Sequence, residues 1–557
     1  MDRRSFIGTG SAAAAGLLLD ARLVRALAPQ AKGKPGATVS TTAGKVRGLI
    51  LGSNVQAFHG VPYGASTAGT RRFLPPLAPS PWTGVFDAFE LGHRSPLVDS
   101  ILVKEWEPLN RREPMGEDCL NLNVWTPSVA GGKRPVMVWL HGGGYGAGSP
   151  NMVPYDGANL ARKHDVVVVG ITHRLNAFGF LYLAELGGEK YADASNAGMR
   201  DIIAGLEWVR DNIARFGGDP GSVTIFGQSG GAGKVSTLLG MPAAHGLFHR
   251  AVAQSGSAIT SMPAGTATQS AEAFMARLGL QRHQVDELQK LPMEQLIGAL
   301  GARRPSSPGE AQGRSGRSAG PGGGFAAAPV VDGKSLPHDV FSPTATTLSA
   351  DVPLLIGSTE TEVTWNVGTD YTPPADDAAL RDRVARALRA DAAQAEQIVA
   401  TYRKGRPQAS RLDLALIIET DASQFRSGTD TEAERKAALR KAPVYMYRFQ
   451  WYSPVSGGRL RAMHCMDIPF VFENVDLSQS VVGDGSDRYA LADRMSSAWA
   501  AFARTGNPNH KGLPNWEPFT ADNRATMIFN NPCRAVNDPY RDERLAVTAT
   551  VPARTSR

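Results

Sequence analysis

Gly227-Gln228-Ser229-Gly230-Gly231 lies in the stretch SVTIFGQSGGAGKVS, where a β-branched apolar run passes through a glycine-rich turn into a helix-like segment. Two chemistries are built on such a junction. One cradles phosphate between backbone N–H groups and a Gly-Lys pair; the other exposes a nucleophilic serine on a sharp turn. The phosphate loop needs Gly five residues before its Gly-Lys and Ser or Thr directly after the Lys. Around Gly233-Lys234 those positions hold Gln228 and Val235, so the match fails twice. A second glycine run, HGGGYGAGSP, fits a relaxed dinucleotide fingerprint through Gly142, Gly144 and Ala147. Pro150 and Pro154 then stand where its phosphate-binding helix would begin, and that reading is discarded. The serine reading fits G-x-S-x-G between strand and helix. Glycines on either side let Ser229 take a strained backbone conformation, and the helix N-terminus favours negative charge developing there.

Acyl transfer at a serine also requires a base and donors aimed at the oxyanion. HGGGYGAG directly follows the strand-like VMVWL, where the fold that carries this serine turn places its second donor loop. The N–H groups of Gly143, Gly144 and Gly230 are assigned to that hole, since side chains there would block the approach of backbone to substrate. The chain order in this fold is serine, acid, histidine. Of the eleven histidines, His245, His249, His283, His338, His464 and His510 follow Ser229. His245 and His249 come too soon for an intervening strand and acid. His283 sits in the charged QRHQVDELQK, His510 in the loop-like NPNHKGLP, and few acids at a strand end precede His338. His464, in RAMHCMDIPFVFEN beyond the strand-like VYMYRFQW, is the best base. The acid must accept the Nδ1 proton and hold the tautomer. PLLIGSTETEV offers Glu360 and Glu362 just past a strand, and on these grounds the two are equal.

Several elements must position these groups. TVSTTAGKVRGLI and VQAFHGVPYG alternate apolar and polar residues, as hairpin strands at a sheet edge do. RRFLPPLAPSPWTGV is a proline-rich surface loop. LNLNVWTP, RPVMVWLHGG and DVVVVGITHR read as strands, and the unbroken VVVVG as one covered on both faces. NAGMRDIIAGLEWVRDNIARFGG places Ile202, Ile203, Leu206, Val209 and Ile213 at helical spacing. PVYMYRFQW is a further strand and LADRMSSAWAAFARTG a helix ended by Gly506. Alternating strands and helices predict a mostly parallel, doubly wound sheet with antiparallel N-terminal edge strands. Residues 301–328, GARRPSSPGEAQGRSGRSAGPGGGFAAA, read as a flexible loop with too little apolar surface to order itself.

The chain has 557 residues, 42% apolar and 20% charged, ordinary for a globular protein with a sizeable core. Its formal charge is +7; the four Arg and two Asp of residues 1–31 account for +2 of it, leaving +5 on a long remainder. No basic cluster interleaves with aromatics, which argues against nucleic acid as a partner. Residues 1–31 carry Arg3-Arg4, then Ser5-Phe6-Ile7 and a short Ala/Gly/Leu run, the pattern of a twin-arginine export signal. No other stretch approaches about 18 uninterrupted apolar residues, so no membrane span is expected. Three cysteines and no C-x-x-C or histidine-rich cluster point to neither a disulfide-stapled fold nor a metal site.

With these residues on the page, the chain resembles the type-B carboxylesterase and cholinesterase-like branch of the α/β-hydrolases. The likeness rests on GEDCLNLNVWTP, VMVWLHGGGY, NAGMRDIIAGLEWVRDNIARFGGDPGSVTIFGQSGG, FHRAVAQSGS, HCMDIPFVF and WAAFARTGNPN. It implies one α/β-hydrolase domain over residues 32–557, with helical and loop insertions over the active site. The family acid lies in G-x-x-x-D-E-G; laid on GSTETEV from Gly357, its glutamate falls on Glu362. Gln228 stands where the family has Glu, Gly230 where it has Ala, Thr361 and Val363 where Asp and Gly flank the glutamate, and Asp467 where Glu follows the histidine. Cys119 matches a family cysteine that is often bridged; no partner occurs in STAGTRRFLPP, so a free thiol is expected. Ser255 resembles a second family serine that supports the triad by a hydrogen bond. The resemblance implies a serine esterase of small-molecule esters without organic cofactor or metal, and the N-terminal segment predicts that the twin-arginine machinery exports it to the periplasm or outside the cell. The alternatives are a non-catalytic binding module of the same fold, or an amidase or lipase variant.

Overall fold

The computed structural model describes residues 33–99, 103–111, 113–301, 325–366 and 368–550. The export-signal segment 1–31 and residues 302–324 of the 301–328 loop lie outside the described residues. Thirteen strands form one sheet: β1 Gly33–Ser40, β2 Lys45–Leu51, β3 Gln56–Pro62, β4 Val85–Asp87, β5 Asn121–Thr126, β6 Arg134–Leu140, β7 Val167–Ile171, β8 Gly218–Gln228, β9 Arg250–Gln254, β10 Leu354–Thr359, β11 Val444–Phe449, β12 Ala525–Phe529 and β13 Arg534–Asn537. Their order is β1-β2-β3-β5-β7-β6-β8-β9-β10-β11-β12-β13, with β4 beside β2. From β7 through β12 every pairing is parallel. β1, β2, β3 and β5 pair antiparallel in turn, as their alternating sequence predicts, while β4 lies parallel to β2, and β13 adds an antiparallel strand at the far edge that the sequence reading does not contain.

The parallel centre is buried on both faces because successive side chains of a strand point opposite ways. Val136, Val138 and Leu140 of β6 pack with Val167, Val169, Val223 and Ile225 on one side. Met137 and Trp139 of the same strand pack with Val168, Phe226 and Phe472 on the other. The predicted helix appears as Ala197–Asn212 followed by a 3-10 turn Ile213–Phe216, and all five of its spaced apolar residues are buried. The C-terminal helix Asp487–Thr505 ends at Gly506, whose φ of 77° makes the left-handed stop.

Between β10 and β11 stand four helices absent from the sequence reading: Asp377–Leu388, Ala392–Gly405, Arg411–Asp421 and Gln424–Ala438. The first three are capped by Asp376, Asp391 and Ser410, whose side chains accept from the N–H groups of Ala379, Gln394 and Asp413. Leu380, Val384, Ile398, Tyr402, Leu414 and Ile418 bury one narrow stripe among themselves. Arg, Asp and Ala around that stripe mask it in a simple apolar count. No helix of the described residues is long and apolar enough to cross a membrane.

A buried ion pair ties the segment after β7 to the helix Ala197–Asn212. Arg174, three residues past β7, gives its backbone N–H, Nε and Nη2 to Asp201 at 3.0, 2.8 and 2.6 Å, and its Nη1 to the Leu74 carbonyl at 2.7 Å. Both residues are fully buried. Asp201→Ala strands the guanidinium without its counter-charge and should cost about 3–5 kcal/mol, read as a fall in the urea midpoint of unfolding; an unchanged midpoint would contradict this account of the pair.

Candidate active site

β8 ends at Gln228, and the helix Gly230–Leu238 begins one residue later. Ser229 between them has φ 57° and ψ −123°, a conformation that L-residues rarely adopt. Its N–H donates to the Gln254 carbonyl at 2.8 Å and its carbonyl accepts from the Gly233 N–H at 3.0 Å, so both backbone groups of the strained residue are tied. The turn packs hard on β6. A Cβ at Gly231 would lie 1.9 Å from the Leu140 carbonyl oxygen, which leaves glycine as the only residue that fits.

The segment after β6 forms a strap beside Ser229. Its carbonyls are occupied: Gly143 accepts from the Ala147 N–H at 3.1 Å, Tyr145 from the Asn176 N–H at 2.8 Å, and Gly146 from Asn176 Nδ2 at 3.3 Å. The N–H groups of Gly143, Gly144 and Gly230 donate to no other described residue. Three free donors thus remain at the edge of the turn, as an oxyanion hole requires. A Cβ at Gly230 would come within 2.3–2.4 Å of the Gly144 backbone. The strap therefore approaches closer than alanine at 230 would permit, which gives this departure from the family pattern a physical reason.

His464 and Glu362 meet. His464 Nδ1 lies 2.5 Å from Glu362 Oε2, and Glu362 Oε1 accepts from the Thr359 N–H at 2.7 Å. With Nδ1–H donating to the carboxylate, Nε2 is the ring's free acceptor. Glu360 is spoken for elsewhere. Its Oε1 accepts from Arg406 Nη1 at 2.5 Å and Gln450 Nε2 at 2.9 Å, so geometry separates the two glutamates that sequence order left equal. Burial pushes the Glu362 carboxyl up, but the His464 imidazole and the Thr359 N–H outweigh it and hold it below the usual carboxylate range. Burial pulls His464 down, while the neighbouring Cys465 sulfur and the Glu362 carboxylate carry it above its ordinary value.

Gln228 touches the same ring. Its Nε2 is 3.3 Å from both imidazole nitrogens, so the amide lies against the ring rather than in line with one nitrogen. The Cys465 thiol, donating to Gln228 Oε1 at 3.2 Å, fixes which end of the amide faces the histidine. Neither ring nitrogen bonds to Ser229 Oγ in this structure. Apo serine–histidine contacts are often long and tighten when substrate binds. Ser255 lies beside Glu362, where the resemblance places a supporting serine. Its hydroxyl sits beside Glu362 and helps depress that carboxyl, yet it closes no hydrogen bond of normal geometry. Both Glu362 oxygens are already engaged, by Thr359 and His464. Asp467, behind the ring, accepts from Tyr447 OH at 2.7 Å and Gln254 Nε2 at 2.9 Å, and burial pushes its carboxyl up. Cys119 is a buried free thiol.

Two aromatic residues that the sequence reading missed flank the imidazole. Phe425 lies 4.5 Å from it, centroid to centroid, and Trp365 5.7 Å. Both are partly exposed. Trp365 follows Glu362 by three residues and could have been found from the acid motif; Phe425 opens a helix that the sequence did not reveal. Among the described residues no group of three or more His, Cys, Asp and Glu is arranged to hold a metal.

The sequence model described as the Carboxylesterase family matches residues 35–548. The chain is 34% identical over 515 residues to a para-nitrobenzyl esterase of Bacillus subtilis, covering 91% of this chain and 97% of that protein. It is likewise 34% identical over 507 residues to a phenmedipham hydrolase of Pseudarthrobacter oxydans, covering 88% and 94%. Among solved structures, an esterase from Clostridium hathewayi described as hydrolysing aliphatic aromatic polyesters superposes with a TM-score of 0.78 at 33% identity, over 93% of this chain and 98% of that one. The sheet, the serine turn and these likenesses agree: the chain belongs to the carboxylesterase family and is a carboxylic ester hydrolase of the α/β-hydrolase fold.

Proposed function

We propose that the chain hydrolyses esters bearing an aromatic group, with Ser229 as nucleophile, His464 as base and Glu362 as its orienting acid. The observation that carries this is the Glu362–His464 hydrogen bond, at a ring that leans on Gln228, the residue directly before Ser229. Ser229 Oγ attacks the ester carbonyl as its proton passes to His464 Nε2. The carbonyl oxygen becomes an oxyanion facing the Gly143, Gly144 and Gly230 N–H groups. Collapse breaks the C–O bond to the alcohol, which takes the proton from His464. A water then attacks the acyl-serine and gives its proton to the same nitrogen; collapse breaks the bond between the acyl carbon and Ser229 Oγ, which takes that proton back as the acid leaves. Trp365 and Phe425 beside the imidazole offer apolar ring faces to a planar substituent. The para-nitrobenzyl esterase and the aromatic polyester esterase among the similar proteins support the same substrate class.

We also propose that residues 1–31 direct export through the twin-arginine machinery, so that the enzyme works in the periplasm or outside the cell. Arg3-Arg4 ahead of a short apolar run supports this. Replacing both arginines by lysine should retain esterase activity in the cytoplasmic fraction; unaltered export would reject the signal.

Ser229→Ala should abolish turnover of p-nitrophenyl esters and labelling by an organophosphate probe while leaving the circular dichroism spectrum unchanged; normal hydrolysis by this variant would refute the nucleophile. The pH dependence has a definite sign. A raised His464 pKa keeps the imidazole protonated to higher pH, whereas a base must be neutral, so kcat/KM rises with pH to a plateau on the alkaline side of the ordinary histidine value. Glu362→Gln should move that limb to lower pH and cut kcat by roughly 10³–10⁴-fold; a limb that stays in place would assign the shift to some other group.

A further inference from the structure

Lys234 is the lysine of the Gly-Lys pair that the phosphate-loop reading left without a role. It lies on the helix Gly230–Leu238, five residues beyond Ser229, and is fully buried. Its Nζ donates to the His141 carbonyl at 2.9 Å and stands 5.8 Å from the centroid of the Tyr145 ring. Among the described residues no carboxylate compensates it: burial alone acts on the ammonium and pulls its pKa down to about 7. Its neighbours add no counter-charge. The His141 and His173 rings stack at 4.8 Å with planes 14° apart, and burial, reinforced by Lys234, keeps both well below the ordinary histidine value. Their Nδ1 atoms contact the Gly142 and Arg174 carbonyls at 2.8 and 2.9 Å, while their Nε2 atoms have no partner.

A buried amine that no carboxylate compensates is a burden to folding, and an apolar side chain of similar length would serve stability as well or better. Its place in the fold points to a use. His141 and Tyr145 are the two ends of the strap whose middle carries the free Gly143 and Gly144 N–H groups, and the helix bearing Lys234 begins with the third donor, Gly230. We propose that Lys234 is a positioning residue of the oxyanion hole, gripping the strap at the His141 carbonyl and the Tyr145 ring so that the Gly143 and Gly144 donors stay in register with Gly230. The proposal rests on the assignment of those three N–H groups to the oxyanion.

Lys234→Met in the full chain tests this. We expect kcat on p-nitrophenyl butyrate to fall by about tenfold or more with KM changed less than about threefold, as for an interaction made in the transition state. Affinity for an aryl trifluoromethyl ketone, which forms an anionic tetrahedral adduct with serine, should fall in parallel with kcat/KM. The thermal midpoint should stay level or rise, because an unpaired buried charge is gone. A lower midpoint with unchanged kcat per organophosphate-titrated site would mark Lys234 as merely structural and overturn the proposal. Should the Met variant not fold, Lys234→Arg and Lys234→Gln replace it: the charge-keeping Arg must recover more ketone affinity than Gln, and equal values overturn the proposal. Normal turnover by Ser229→Ala would instead remove the site assignment itself, whatever Lys234 does.

Discussion

The contact between the end of β6 and the turn after β8 is the constraint on which the site depends. These strands are parallel neighbours with Leu140 opposite Gly227, so both run out at the same level of the sheet. Their loops therefore emerge side by side, one carrying the oxyanion strap and the other Ser229. The Leu140 carbonyl fills the space that a side chain at 231 would need, and the Gly144 backbone fills the space that one at 230 would need. Nucleophile and donors are fixed to each other through the register of the sheet, the most rigid part of the molecule, rather than through the loops that bear them. That is the economy of placing a reaction at the carboxyl ends of parallel strands.

Around this fixed point, burial decides which ionisable groups keep their charge. Glu362 remains a carboxylate because the Thr359 N–H and the imidazole satisfy its two oxygens. Asp467, equally buried, has only neutral donors and is pushed toward the protonated form. Glu360, two residues from Glu362 in sequence, is held away by Arg406. Gln228 offers the imidazole an amide where the family pattern has a carboxylate. The ring therefore faces one dominant negative charge, on its Nδ1 side, which commits Nε2 to accept a proton from the serine. Environments that push chemically similar groups apart are how roles are assigned in such sites.

Much of this was legible in the sequence because it is local. G-x-S-x-G with glycine at 230 and 231, the covered run VVVVG and the helix with Ile202, Leu206 and Val209 each carry their own signal, and each stands where the reading placed it. What escaped was non-local. Spacing alone left Glu360 and Glu362 equal and only the family pattern chose Glu362, because the groups that enforce the choice, Arg406 and His464, lie more than 40 residues away in either case. The first three helices before β11 bury a stripe against one another and against Val547 near the C-terminus, so no single one displays a strong apolar face, while the fourth packs Ala433 into the main core. Phe425 was lost with them.

Gly230, Gly233 and Lys234 act together once the strap is considered. Removing the methyl at 230 opens room that the Gly144 backbone occupies. At Gly233 a Cβ would meet the Tyr145 hydroxyl at 2.9 Å, so the absence of a side chain there admits the ring. Lys234 then lies where the admitted ring and the His141 carbonyl can take its ammonium. A helix face emptied of bulk and given one long cation holds its neighbour by a directed hydrogen bond and a cation–π contact in place of apolar packing. Apolar contact tolerates sliding, whereas a hydrogen bond to one carbonyl fixes distance and direction, which is the property needed of a segment whose middle N–H groups must meet a single developing charge.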